Sequence, residues 1–540
     1  MLFLSLILLA ALAIIYLYSS RRHSKSTLRL PPGPKGLPIV GNVFDLPPEG
    51  IPEYEHWLKL KDVYGPISSM SVLGTTLVIL HSHEAVQELL VKKSTRTSAR
   101  PAFYFSNMCG LGNLTPLLTS GPVHRQHHKL MHQKMGTKLL ATRFSSTQDV
   151  ESRRLLLRAL DDPEHLMEHI KTEASAIILK IVYDYTIEPH KADPLVSLIE
   201  RAMDTFSKTV LPFAWAVDII PQLRYLPSWL PGVSFHKTAR EWRRVNESMI
   251  DVPYDFVMQQ MSRGTFTPSY VSHYLEHRDE NSGEIEIEKQ VLSQQEEKAL
   301  KNSAAILFGA GSDTTVSSVI SFILAMILYP EVQRRAQQEI DQVVGGDRLP
   351  CFEDRDRLPY MNAVIKETYR WMPVVPIGTA HVAEEEIVFS GYRIPKGAYL
   401  LPSIWWFMHD PETYANPSEF NPDRFLAPER EEPDPRDHVF GYGRRICPGR
   451  YLADGTIFLT ISRIIATLDV TAKLDDRGKP VDLKREATAG LISHPMPFPF
   501  SIAPRSLKHA ELIRSTEIDH PWEESDSVHL VGVDRVARGV

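Results

Sequence analysis

Phe440-Gly-Tyr-Gly-Arg-Arg-Ile-Cys-Pro-Gly449 sets one cysteine in a loop rich in glycine and arginine, immediately ahead of an apolar helical pattern from Tyr451 to about Leu468. A lone cysteine is ordinarily a small buried hydrophobe. That reading suits Cys109 and Cys351, which carry no such frame. Around Cys447 the frame is chemical. An anionic sulfur ligand is stabilised by the amides that open the following helix, and bound iron removes the proton from a thiol of ordinary pKa about 8.5. Glycines let a backbone approach a flat macrocycle, and an adjacent arginine can pair with a carboxylate carried on it.

Upstream of this loop the clearest element is a long helix. Ser293-Gln-Gln-Glu296 fits a capping box, and the apolar pattern runs to about Leu328 before Pro330 stops it, a length of roughly 54 Å. Gly309 and Gly311 each cost about 1 kcal/mol relative to alanine in its middle, so something must approach the helix closely there. With Ala304, Ala305 and Ala310 they predict a small-residue face that leaves room for a flat ligand. Gly65 to His81 alternates, with β-branched residues and Gly74 between the halves, and reads as a hairpin. Pro31-Pro32-Gly33-Pro34-Lys35-Gly36-Leu37-Pro38 cannot be helix, because its prolines fix φ and remove amide donors; it reads as a stiff strap. The polar run from Asp279 to Glu288 and the tail from Ser506 onward read as a solvated loop and a mobile tail.

The 540 residues are 43% hydrophobic and 23% charged with a net charge of −6, so no global field points to nucleic acid. Three scattered cysteines exclude a disulfide framework and a CxxC-type zinc site, which suits a reducing compartment. Leu2 to Tyr18 contains one clearly polar residue, Ser5, and as a helix spans roughly 26 Å. A cleaved signal peptide competes for this segment, since Ala11-Leu12-Ala13 resembles a cleavage site. No basic residue precedes the apolar run, however, and Arg21, Arg22, Lys25 and Arg29 follow it, which by the positive-inside rule leaves the rest of the chain in the cytoplasm. The layout expected is an anchor at 1–20, a basic and proline-rich linker at 21–40, a catalytic domain at 41–505 and a polar tail at 506–540.

Phe440, Gly443, Arg445, Cys447 and Gly449 match the FxxGxRxCxG signature of the cytochrome P-450 family, which the chain resembles over nearly its whole length to about residue 500. Glu367-Thr-Tyr-Arg370 matches the family's ExxR helix, and Pro422-Asp-Arg424-Phe425 its PxRF element. Ala310-Gly311-Ser312-Asp313-Thr314-Thr315 matches its oxygen groove. The resemblance implies a mainly α fold with a small β-rich lobe, preceded by one N-terminal transmembrane helix of the microsomal type. It implies haem (iron protoporphyrin IX) held by Cys447, with Phe440, Gly441, Arg445, Gly449, Ala310 and His381 against it. It also implies a buried Glu367, Arg370 and Arg424 network beneath the haem. On its own, a pair three apart on a helix is more often a solvated surface bridge.

Asp313 and Thr314 then carry the chemistry. Reducing bound dioxygen takes up two protons, and a hydroxyl that donates and accepts, backed by a carboxylate, is a suitable relay. The bland alternative is a threonine bonding back to the carbonyl four residues earlier. The reaction implied is insertion of one oxygen atom into a lipophilic small molecule, in the style of fungal members that oxidise polyketide or terpenoid secondary metabolites. Its electrons come from NADPH through a membrane-bound diflavin reductase docking near Arg444, with cytochrome b5 as a second donor, at the endoplasmic reticulum. Correspondence with the family assigns Phe103, Phe105, Met108, Ile306, Phe308, Val375, Ile377, Ile492 and His494 to the substrate pocket, with core packing an equal explanation. Two other classes stay open: a haem-thiolate isomerase or dehydratase acting on peroxides, against which Asp313 and Thr314 argue, and a catalytically silent haem sensor.

The sequence departs from the family where its WxxxR pattern binds a propionate. Gly121-Pro122-Val123-His124-Arg125-Gln126-His127-His128-Lys129 puts His124 and His128 at those positions, four apart on one helical face. Propionate charge is expected to raise their pKa, and His381 to reinforce the effect. Surface histidines, with Arg125 or Lys129 anchoring instead, are the alternative; a zinc pair lacks a third ligand.

Overall fold

The computed structural model describes residues 28–276, 292–426 and 432–530. Residues 1–20, expected to form the anchor, and the acidic run Asp279 to Glu288 lie outside them. The elements that position the site are, in chain order, β1 (Ile67–Val72), β2 (Thr75–Leu80), α1 (Pro122–Met135), α2 (Ser145–Asp161), α3 (Leu166–Tyr183), α4 (Pro194–Thr209), α5 (Phe235–Arg263), α6 (Gln294–Leu328), α7 (Pro330–Val343), α8 (Pro359–Trp371), β3 (His381–Val382), β4 (Ile387–Phe389), β5 (Tyr392–Ile394), β6 (Tyr399–Pro402), α9 (Arg450–Thr467), β7 (Leu468–Ala472), β8 (Phe500–Pro504) and α10 (Leu507–Arg514).

The strands form one four-stranded sheet, ordered β1-β2-β6-β3, and two two-stranded ribbons. The expected hairpin is β1 and β2, paired antiparallel from Ile67 opposite Leu80 to Val72 opposite Thr75. Gly74 turns it at φ +87°, a conformation that costs glycine little. The proline strap lies against β1: Ser69 N donates to Pro32 O at 2.8 Å and Ser69 Oγ to Pro31 O at 2.6 Å. Gly33 is needed there, because a Cβ would collide with the Ser69 carbonyl.

Helix α6 starts at the expected capping box, Ser293 with Glu296, and ends at Leu328. It is long and apolar enough to cross a membrane, but 67% of its most apolar window is buried within the protein, so it serves as the central core helix. Helices α3 and α9 pack along it. Its two glycines answer the expectation of a close approach differently from the one drawn. A Cβ on Gly309 would lie 2.6 Å from Met203 Sδ of α4, and one on Gly311 2.7 Å from Ile178 Cδ1 of α3. Two neighbouring helices supply the close approach, and Ala310 between the glycines faces the cavity described below.

The segment read as a mobile tail is docked through residue 530. Ile513 of α10 is fully buried against the core beside α2. The Trp522 ring lies over the guanidinium groups of Arg154 and Arg158, at 5.2 and 4.9 Å, and Asp526 Oδ2 accepts from Thr186 N at 2.8 Å. A few apolar and aromatic anchors in a polar sequence are enough to hold it.

Candidate active site

A cavity of about 350 Å³ lies between the middle of α6 and the loop that carries Cys447. Cys447 lines it together with Phe440, Gly441, Arg445 and Gly449, while Ile306, Ala310 and Thr314 face it from α6. The cysteine loop is closed by Cys447 N donating to Phe440 O at 2.8 Å. Gly441 and Gly443 take φ +77° and +54°, and a Cβ on Gly443 would collide with the Leu90 carbonyl. Gly449, by contrast, would point a Cβ into open space. Burial pushes the Cys447 thiol up, while the N–H groups of Gly449 and Arg450 at the start of α9 pull it back. Of the other two cysteines only Cys109 fits the bland reading of a small buried hydrophobe; Cys351 is half-buried and hydrogen-bonded. Cys109 is buried in the core, where burial pushes its thiol up to about 12, and Cys351 Sγ donates to Asp354 Oδ2 at 3.2 Å.

Thr314 Oγ1 donates to Ala310 O at 2.7 Å, so the back-bond read as the bland alternative is made by a hydroxyl that also lines the cavity. Asp313 is not on the cavity wall. One residue earlier on the helix its carboxylate faces a different neighbour, with Oδ1 3.1 Å from His494 Nε2. His494, assigned by correspondence to the substrate pocket, is therefore partner to the acid.

One end of the cavity is cationic. Arg445 is held by Ser98 O and Leu118 O at 2.8 and 2.7 Å, and its buried Nη1 has no partner. Arg100 donates to Thr379 O, Ala380 O and Pro116 O, at 2.9, 2.8 and 3.1 Å. Among the described residues neither makes an ion pair with a carboxylate. Burial lowers Arg445 to about 10, with Glu384 opposing the shift, and pushes Arg100 well below its ordinary value, with the charge of Arg445 adding to the effect. Such a pair of half-buried cations needs an anion. Sequence reasoning missed Arg100, which sits in an aperiodic stretch before Pro101 and carries no readable signal.

His124, His128 and His381 line the same cavity, the first two with ring centroids 6.0 Å apart. Arg125 and Lys129, the alternative anchors, are exposed. The polypeptide itself pushes these histidines down. Burial, followed by the charge of Arg445, pushes His124 down to about 3; burial, followed by His132, lowers His128; and burial drives His381 well down. Burial first, and the neighbouring cations second, thus disfavour the charged form of these rings.

Beneath the loop, Glu367 and Arg370 are fully buried rather than a surface bridge. Arg370 Nε and Nη2 donate to Glu367 at 2.7 and 2.9 Å, and Arg424 Nε donates to the same carboxylate at 3.1 Å. Glu432, which the sequence did not reveal, gives Arg424 a second acceptor at 2.6 Å.

Of the residues assigned to the substrate pocket, Ile306 and Val375 line the cavity. Phe103, Phe105, Met108, Phe308, Ile377 and Ile492 do not; they pack in the core. Phe105 stacks on Trp215 at 3.5 Å and Phe308 meets Tyr183 edge-on at 6.2 Å, so aromatic packing claims both. Met131, Met135, Ile177, Ile178 and Val374 take their place on the wall.

Residues 31–500 match the family model described as Cytochrome P-450. The chain belongs to the cytochrome P-450 family. It is 47% identical over 97% of its length to the monooxygenase CLM2 of Gibberella zeae, covering 98% of that protein. It is 46% identical over 96% of its length to the multifunctional monooxygenase af510 of Aspergillus fumigatus, covering 95%. It is 40% identical over 93% of its length to the O-methylsterigmatocystin oxidoreductase of Aspergillus flavus, covering 92%. The chain is accordingly a P-450 monooxygenase, whose family cofactor is iron protoporphyrin IX, used with dioxygen and reductase-derived electrons. The cavity residues fit that group. Two half-buried arginines that make no ion pair among the described residues, one with an orphaned buried Nη1, match its propionates, and Gly449 leaves open the space a Cβ would take.

Proposed function

We propose that Cys447 would hold the haem iron as its thiolate ligand, and that the enzyme inserts one atom of dioxygen into a lipophilic polyketide or terpenoid of fungal secondary metabolism. The observation that carries this is the convergence on one cavity of Cys447, Thr314 and the two unpaired arginines. When bound, haem supplies the iron at which dioxygen is held and reduced, and a thiolate donor favours O–O cleavage.

The protein's own residues do the rest. Arg100 and Arg445 would hold the propionates, with His124, His128 and His381 as hydrogen-bonding neighbours. Phe440, Gly441, Gly449 and Ala310 line the same cavity and would bound the group there. Thr314 Oγ accepts a proton and passes its own into the cavity, backed by Asp313. Ile306, Val375 and the methionines of α1 exclude water and select an apolar substrate. Glu367, Arg370 and Arg424 position the loop without touching the reacting atoms. Electrons reach the loop face, where Arg444 is exposed, from an NADPH-dependent diflavin reductase, with cytochrome b5 as a second donor. Residues 1–20 anchor the chain in the endoplasmic reticulum, the basic linker 21–40 follows, and the catalytic domain 41–505 faces the cytoplasm, followed by the polar tail 506–540.

The test is the spectrum of the reduced, carbon monoxide-bound protein. Wild type gives the thiolate-type Soret band, Cys447→Ala abolishes it, and Cys109→Ala and Cys351→Ala retain it. A thiolate-type band in Cys447→Ala would remove the ligand assignment.

A further inference from the structure

Thr314 is half-buried and faces an apolar cavity, and its own hydroxyl proton is engaged by the Ala310 carbonyl. Every turnover consumes protons, so a route from solvent to this hydroxyl has to exist. Asp313 is the adjacent acid, yet its carboxylate is turned away from the cavity wall and toward His494.

His494 is held in place from several sides. Its backbone N–H donates to Thr488 Oγ1 at 3.0 Å, and Thr488 N donates to the His494 carbonyl at 2.8 Å. The preceding Ser493 fixes the turn to α6, accepting at its carbonyl from Ser317 Oγ at 2.6 Å, and to the cavity wall through Ser493 N to Val374 O at 2.8 Å. The side chains of His494 and Asp313 are 28% and 22% exposed, so the pair sits where water reaches it, one residue along α6 from the half-buried Thr314 hydroxyl. A histidine carries and returns protons near neutral pH more readily than any other side chain.

We infer that His494 is the proton-loading residue of this monooxygenase, passing protons from solvent to Asp313 and so to Thr314. The inference rests on the relay proposed for Asp313 and Thr314. The imidazolium gives its Nε2 proton to Asp313 Oδ1, leaving a neutral ring and a neutral acid. Rotation of the acid toward the cavity carries that proton to Thr314 Oγ, which releases its own into the cavity. His494 then takes up a proton from hydronium in the bulk solvent, releasing water, and Asp313 returns to it as carboxylate. Each cycle moves one proton from the solvent to the cavity and restores the imidazolium–carboxylate pair, so charge and protons balance. His494 touches neither substrate nor cofactor; it is a positioning and loading residue.

The experiment uses the full chain reconstituted with excess reductase in lipid vesicles, turning over NADPH and dioxygen with no added substrate. His494→Gln keeps a hydrogen-bond donor near Asp313 but cannot carry a proton. It is expected to slow NADPH consumption about tenfold and to enlarge the effect of replacing water with deuterium oxide. Asp313→Asn should do the same, and the double variant should be no slower than Asp313→Asn alone, because the two lie on one path. A structural readout runs beside these. Thermal midpoints of His494→Ala, Asp313→Asn and the double variant should be non-additive, with the second substitution costing little once the first is made. Each variant must give the reduced carbon monoxide spectrum of wild type, and His494→Asn replaces any variant that does not. Wild-type rate and isotope effect in His494→Gln, or fully additive midpoints, overturn the inference. Thr314→Ala separates the two layers. If it releases extra hydrogen peroxide per NADPH while His494→Gln behaves as wild type, the relay stands and His494 does not feed it. If Thr314→Ala is also silent, the relay itself has failed.

Discussion

Glu367→Gln removes the carboxylate on which Arg370 depends. The Arg370 guanidinium is fully buried, and its remaining bonds go to the backbone carbonyls of Met408, Pro417 and Glu419, which are neutral. Glu367 accepts four bonds: two from Arg370, one from Arg424 and one from Asn421 N at 2.7 Å. Glutamine offers one acceptor oxygen and turns an NH2 group toward N–H donors, so the substitution loses charge and opposes donors at the same time. Removing one partner of a buried ion pair costs about 3 to 5 kcal/mol. With an unfolding entropy of roughly 2.1 cal/mol/K per residue, that lowers the melting temperature of a domain this size by about 3 to 5 °C. Glu432→Gln should cost less, since Arg424 keeps Glu367 at 3.1 Å. Adding Arg370→Met to Glu367→Gln should recover part of the loss, because the uncompensated charge goes with it. Melting followed by far-UV circular dichroism, with haem content measured on the same samples, checks all three. A shift below about 1 °C for Glu367→Gln, or no recovery in the double variant, would show that Arg370 is not compensated by this carboxylate.

Three further outcomes are expected. Thr314→Ala should bind haem as wild type does but release more hydrogen peroxide per NADPH oxidised; an unchanged product yield with a converted substrate excludes Thr314 from proton delivery. Deleting residues 1–20 should free much of the protein from membranes with the Soret band intact, and full retention in high salt would point to a second embedded surface. Acid should weaken the fold well above the carboxylate range. Burial holds His81 at about 3 and His127 and His438 at about 4, below the ordinary 6.5, so the unfolded chain takes up protons first as pH falls. Their stabilising effect is complete above pH about 6.5 and is lost toward pH 4, roughly 2 kcal/mol for each histidine by pH 5. A urea midpoint that stays level from pH 7 to pH 5 contradicts this.

The parts of the fold legible in the sequence were those whose signal is local. The capping box, Pro330 and the apolar period between them specify α6 because each acts within a few residues of itself, and the same holds for Gly74 in the hairpin. The cysteine loop was legible because its glycines and cysteine are consecutive and their roles follow from backbone geometry. What failed depended on which way a side chain points across the molecule. Gly309 and Gly311 announced a close approach, but only the packing shows that Met203 and Ile178 make it. Phe105 and Phe308 are as apolar as any pocket residue, and their partners, Trp215 and Tyr183, lie far off in sequence.

The cationic end of the cavity shows the same limit in its sharpest form, and why it matters for function. Read along the chain, His124 and His128 looked like replacements for an arginine, charged in its stead. In the folded protein they stand beside Arg445, with Arg100 brought to the same cavity from a separate segment. Burial first, and the charge of Arg445 second, disfavour the charged form of His124, and two guanidiniums already supply positive charge at this end of the cavity. Substituting His124 with arginine would add a third guanidinium beside Arg100 and Arg445. Position in sequence suggested what each histidine replaces; only burial and the summed charge of the neighbours decide what it does.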